Sequence, residues 1–192
     1  MINEGGNVSI KGIDAQKIPV KEIGLKKFQD DFKKMFKKLN KMFYKEYGEY
    51  VWSNDSIIDT GFVFNGSTSF LMDPEYLSKE DELKILKPTS GDVDIMVPED
   101  LKDKLMEFLT KIEDTEIENF KFIGYKFYVD QLNSLFEYDY GKGKVFAQVD
   151  FEFVQFEGKD KIYIGYIDDK GNIYDENKKP MNLTINDIEI IN

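Results

Sequence analysis

The chain has no cysteine, no histidine, a single tryptophan and five prolines among its 192 residues, and no apolar run long enough to cross a bilayer. Each shortage removes a class of chemistry. Without cysteine there is no disulfide framework, thiolate metal site or thiol nucleophile, and without histidine the commonest acid-base group and the usual zinc ligand are missing. Chemistry here must run on carboxylates, lysines, hydroxyls and backbone amides. That inventory suits hard cations such as Mg2+, which take oxygen ligands. Positive charge is scarce too: 26 basic against 37 acidic residues leave a net charge of -11, which repels polyanions over most of the surface. The opening MINEGGNVSIKG lacks the charged-then-apolar order of a secretory signal. The expectation is a cytoplasmic protein with no membrane partner.

What is present is a normal core: 41% hydrophobic and 15% aromatic residues point to one domain, with room for an appendage but not for a second full domain. From Glu22 to Gly48 the residues Leu25, Phe28, Phe32, Met35, Phe36, Leu39, Met42, Phe43 and Tyr47 recur at three- and four-residue spacing, predicting an amphipathic helix that stops at Gly48. Its opposite face is drawn as lysine: Lys26, Lys27, Lys33, Lys34, Lys37, Lys38, Lys41 and Lys45. A solvated face explains this, and so does a patch for an anionic substrate or an RNA backbone.

Downstream, SIIDTGFVFNGS is expected to be a strand with Phe62 and Phe64 on one face. Ser78 and Asp81 fit a capping box for a short helix ending before Pro88. DVDIMV is the next strand. Pro98 then opens a helix whose buried stripe is Leu101, Leu105, Phe108, Leu109 and Ile112. Residues 120–129 read as a strand, the following segment as a hairpin turning at Gly141 to Gly143, and the tail as another hairpin around Asp168 to Gly171. The sum is α+β with a mixed sheet, helices packed on one face of it, and a β-rich C-terminal extension.

The stretch TSGDVDIMVP sets two carboxylates two residues apart inside an apolar run. Residues i and i+2 of a strand share a face with Cα atoms about 7 Å apart, so Asp92 and Asp94 can reach a common point while Val93, Ile95 and Val97 turn to the core. Paired ions clamping a phosphoryl group need such a pair and a third acid from a neighbouring strand. QVDFEF offers Asp150 or Glu152, which share a face. Ordinary half-exposed alternation explains either strand alone. Gly66-Ser67 closes the earlier segment, where backbone amides and a hydroxyl can hold a phosphate. GKGK at 141–144 is no P-loop, lacking the remainder of that motif, and DDKGN at 168–172 lacks the spacing of an EF-hand.

The ordered set FVFNGS, SGDVDIMV and QVDFEF resembles the signature of the DNA polymerase beta-like nucleotidyltransferases, most closely their small phage-type and bacterial members, whose lead into the first helix is similar to IPVKEI here. The resemblance covers Ile18 to Val154. It implies a nucleotidyltransferase-like domain over 18–154, with an insertion at about 70–88 because the spacer between Ser67 and Asp92 is longer than usual, and a β-hairpin extension over 155–192. It implies an enzyme transferring a nucleoside monophosphate from an NTP such as ATP to an acceptor hydroxyl with release of pyrophosphate. Asp92, Asp94 and Asp150 would be its catalytic and metal-ligating residues for Mg2+ or Mn2+, with Glu152 the alternative third ligand and Gly66 and Ser67 the nucleotide-binding pair. A phage-encoded member would act in the host cytoplasm. The acceptor stays open among RNA, protein and small molecule. The alternative is a catalytically inactive protein of this fold that serves in binding or assembly.

Overall fold

The structure, a computed structural model, describes residues 7–79, 88–128, 130–155, 164–175 and 177–182. It is α+β around a five-stranded mixed sheet. The strands are β3 (Val93–Pro98), β4 (Glu116–Ile117), β5 (Phe120–Tyr128), β6 (Gln131–Asp139) and β7 (Lys144–Val154), in the order β3-β7-β6-β5-β4. β3 runs parallel to β7 and the other pairs are antiparallel. Ahead of the sheet lie a small hairpin, β1 (Ser9–Ile10) with β2 (Ile13–Asp14), and the helices α1 (Val20–Ile23), α2 (Leu25–Tyr47), α3 (Asp55–Asp59) and α4 (Gly66–Leu71). The helix α5 (Lys102–Lys111) follows β3.

α2 is the helix that the periodicity predicts, closed by Gly48 in the left-handed conformation. Its stripe of Phe28, Phe32, Phe36 and Phe43 is fully buried, each side chain contributing about 1.5–3 kcal/mol over its exposed state. Phe32 meets Phe120 of β5 at 4.8 Å between ring centroids and Phe36 meets Phe151 of β7 at 6.5 Å, so α2 lies across the sheet. α5 joins it through Phe108 against Phe43, and its stripe is buried as expected from sequence. Val93, Ile95, Val97, Val149 and Phe151 belong to this same core. Asn40 of α2 holds the Trp52 backbone through two hydrogen bonds, and the Trp52 indole N–H donates to Met96 O at 2.8 Å. Helix and acidic strand are thereby fixed to one another. The other face of the sheet carries a smaller cluster in which Val8, Ile10 and Ala15 pack on Ile123 and Leu135.

Two expectations are corrected. The segment SIIDTGFVFNGS is not a strand: its first half is α3, because Asn54 caps the turn by accepting from Ser56 N at 3.0 Å. The chain then turns at Gly61, φ +80°, where an added Cβ would lie 2.8 Å from Met72 O. Only an isolated bridge, Phe64 to Ile95, remains of the pairing. Phe62 and Phe64 accordingly part company, Phe64 buried and Phe62 exposed. Lys33 leaves the solvent face too: it is buried, donates to Asp59 O at 2.7 Å, and burial lowers its pKa to about 8. Ser78 sits inside a 3-10 helix (Pro74–Lys79) with its hydroxyl donating to Glu75 O; Asp81 and the short helix expected to end before Pro88 lie outside the described residues. Of the expected insertion, Leu71 and Met72 belong to the core.

The tail forms the hairpin β8 (Ile164–Ile167) and β9 (Ile173–Asp175). Asp168 at its turn accepts from Lys170 N, Asn172 N, Asn172 Nδ2 and the Tyr174 hydroxyl, which holds its carboxyl below the usual range. That saturation makes the DDKGN stretch a turn. Among the described residues no helix is long and apolar enough to cross a membrane.

Candidate metal centre

Strand alternation sets the first two acids. Val93, Ile95 and Val97 are fully buried in the core, and Asp92, Asp94 and Met96, which alternate with them, are half-buried. The lead into β3 is pinned on both sides: Ser90 and Ile18 exchange backbone hydrogen bonds, and the Ser90 hydroxyl donates to Asp92 O at 2.7 Å. That contact gives the IPVKEI lead and the Ser-Gly pair a physical role, since they fix where Asp92 begins.

The third acid comes from β7. Asp94 and Asp150 are direct partners in the parallel ladder, so their side chains emerge on the same face. One carboxylate oxygen from each of Asp92, Asp94 and Asp150 lies within 4.8 Å of the others. The structure therefore brings together the three acids singled out in sequence. Glu152, the alternative, is directed elsewhere: its Oε2 accepts from Asn65 Nδ2 at 2.7 Å.

Asp150 is only 4% exposed. Burial first, and then the charges of Asp92 and Asp94 beside it, push its carboxyl up to about 9, against the opposing pull of a hydrogen bond from Gln148. Gln148 is itself buried. Its Nε2 donates to Asp150 Oδ1 at 3.0 Å and its Oε1 accepts from Val8 N at 2.8 Å. The amide orientation is thus set by the backbone of the N-terminal hairpin. One oxygen of Asp150 is held by this amide. The crowding that holds a proton on Asp150 and the all-oxygen donor set fit a hard divalent cation, whose charge would favour all three acids ionised.

Gly66 and Ser67 stand where α4 begins. Asn65 N donates to Asp94 O at 3.0 Å, laying this corner along the free edge of β3. Gly66 has φ +56°, and an added Cβ would lie 3.4 Å from Asp94 Oδ2. Glycine here lets the backbone approach the acid pair. Asn65, at the N-cap, makes no side-chain cap bond because its amide is on Glu152, so the first amides of α4 carry no side-chain acceptor from the cap. Ser67 is half-buried beside them.

Of the residues that shape this arrangement, Thr68 has no distinctive signal in the sequence and Gln148 only a partial one. Thr68, fully buried, accepts from Asp94 N through Oγ1 at 3.0 Å and so ties α4 to the acidic strand. Its signal, a hydroxyl directly after Gly-Ser, is too common to single out. Gln148 was visible as a neighbour of Asp150 on one strand face, but its partner Val8 lies at the far end of the chain. Compared with known proteins, the chain matches no family model, no curated protein and no solved structure.

Proposed function

We propose that this chain is a divalent-cation-dependent nucleotidyltransferase, with the sheet, α2 and α4 forming a minimal nucleotidyltransferase-like domain. The observation that carries this reading is the convergence of Asp92, Asp94 and Asp150 next to a glycine corner whose backbone approaches Asp94. Three acids crowded into one cleft raise the cost of ionising Asp150, a destabilisation that a bound cation offsets. The same retention of all three acids speaks against the non-catalytic alternative.

In this reading Asp92, Asp94 and Asp150 hold Mg2+ or Mn2+. A bound cation at this cluster supplies charge neutralisation on the NTP and lowers the pKa of the acceptor hydroxyl. The Gly66 and Ser67 amides and the Ser67 hydroxyl bind the triphosphate tail, and Thr68 keeps that corner in register with Asp94. Gln148 orients Asp150. The acceptor oxygen forms a bond to the α-phosphorus, the bond to the β-phosphate bridge breaks, pyrophosphate leaves and the hydroxyl proton passes to solvent. In-line placement by these residues provides the rest of the rate.

The test is incubation with each labelled NTP, Mg2+ and, separately, total cellular RNA, total protein and small-molecule alcohols. Label transfer that is lost in Asp92→Asn supports the reading. Absence of transfer with every NTP and acceptor class, from protein that is folded by circular dichroism, overturns it.

A further inference from the structure

The ion pairs of the helical face divide its lysines into two sets. Lys26 pairs with Asp30, Lys27 with Asp31 and Lys37 with Asp59, while Lys33 is buried against a carbonyl. The acids at the C-terminal end of α2 are taken from outside it: Glu46 by Lys111 and Glu49 by Lys104 of α5. Lys34, Lys38, Lys41 and Lys45 remain, all exposed and without an ion pair among the described residues. Their spacing of four, three and four places them on one line of the helix, about 16 Å long at 1.5 Å per residue. Phe28, Phe32 and Phe36 mark the opposite side of α2. The stripe therefore looks away from the sheet, and the acid cluster lies beyond the sheet on its other face.

Beside this stripe stand two aromatic rings that the core does not use. Tyr44 and Tyr50 are 46% and 43% exposed and stacked on one another, 4.3 Å between centroids and 17° from parallel. Tyr44 is one helical turn from Lys41. Uncompensated charges in a row attract a chain of regularly spaced anions, and an exposed planar ring beside them offers a face to a base.

We propose that the outer face of α2 is a docking surface for single-stranded nucleic acid, its phosphodiester backbone running along Lys34, Lys38, Lys41 and Lys45 and one base stacking on the Tyr44-Tyr50 pair. On a chain of net charge -11, the local sign reversal confines such a ligand to this line. Because the stripe and the acid cluster lie on opposite faces of the sheet, the interaction is a tether independent of the chemistry proposed for the cleft. An anionic membrane is the competing occupant, and vesicles are therefore an arm of the test.

The experiment is fluorescence anisotropy of the full chain with short labelled single-stranded RNA and DNA of mixed sequence, together with phosphatidylserine vesicles. Binding of either oligonucleotide is expected, with a log-log salt slope of about -3 for four phosphate contacts, on the order of a 50-fold loss between about 50 and 200 mM salt. Replacing all four lysines by Gln, a good helix former, should abolish it; Lys26→Gln with Lys27→Gln, which touches only paired lysines, should not. If the fourfold variant fails to fold, the pair Lys38→Gln and Lys41→Gln must flatten the salt slope by about half. Tyr44→Ala should weaken binding roughly tenfold at unchanged slope. The proposal is overturned if neither oligonucleotide binds, if the lysine variants bind like wild type, or if only the vesicles bind.

Discussion

Asp94 and Asp150 face one another across the parallel ladder of β3 and β7, with Val93 opposite Val149 on one side and Ile95 opposite Phe151 on the other. Register is therefore what assembles the acid cluster. A slip of one residue would turn Asp150 to the core face and Phe151 to the cleft, and the cost of that exchange holds the site in place.

Asp94→Asn tests the conflict between function and stability. Without a cation the Asp92 and Asp94 carboxylates repel each other and hold a proton on buried Asp150, so the substitution should abolish transfer while leaving the cation-free protein as stable as wild type or slightly more so. Thermal melts with and without Mg2+ and NTP check this. A ligand-induced shift should be present in wild type and absent from the variant. A cation-free melt well below wild type would make Asp94 a structural residue instead.

The cation-free protein should lose stability as pH rises. The Asp150 pKa is raised from 3.8 to about 9, so over that interval the folded state keeps a proton that the unfolded chain has released. The contribution is full below the unfolded value and declines until the folded value is passed. Melting temperatures measured in chelator across this range should fall for wild type, fall less for Asp150→Asn, and recover on adding Mg2+ above about pH 8. An identical slope in wild type and variant would contradict it.

Gln148→Leu should leave Val8 N and Asp150 Oδ1 without their buried partner. The expected loss is about 1–3 kcal/mol of stability, read by urea denaturation, with a weaker Mg2+-induced melting shift than wild type. A variant as stable as wild type with an unchanged shift would remove Gln148 from the site.

Glu152→Gln separates the two candidates for the third ligand. Its Oε atom can still accept from Asn65, so transfer should stay within about threefold of wild type, whereas Asp150→Asn should lower it by on the order of a hundredfold or more. Equal losses in steady-state assays would restore Glu152 as a ligand.

Thr68→Val removes the acceptor for Asp94 N while keeping the shape. It should cost about 1–3 kcal/mol and Thr68→Ser should restore most of that. Failure of Ser to rescue would mean that the Thr68 methyl, not its hydroxyl, matters.

The parts legible in sequence are those whose pattern is local. DVDI in β3 and its approach and VDFEF in β7 alternate apolar and acidic residues, and α2 and α5 repeat their apolar residues every three or four, so which apolar residues face the core follows from spacing. The segment after α2 misled because Ile57, Ile58, Phe62 and Phe64 have strand-like chemistry, while one cap at Asn54 and one turn at Gly61 decide the backbone. Lys33 lies among exposed lysines in the helical sequence, and its burial depends on where the Asp59 carbonyl lands. The hairpin β1–β2 is too short to show periodicity. Its grip on Gln148 joins opposite ends of the described sheet domain, which no local pattern records.

The parallel pairing of β3 with β7 also sets an order of events. Every strand between them pairs with its sequence neighbour and closes a short loop, whereas β3 finds its partner only after α5, β4, β5 and β6 have been made. Long loops are the last to repay their closure entropy. Loop closure thus favours the acid cluster forming after the β4–β7 meander, when β3 docks on a β7 already paired with β6. A chain in which β3 is not docked on β7 holds Asp92 and Asp94 apart from Asp150, and the complete cluster exists only where that ladder is formed.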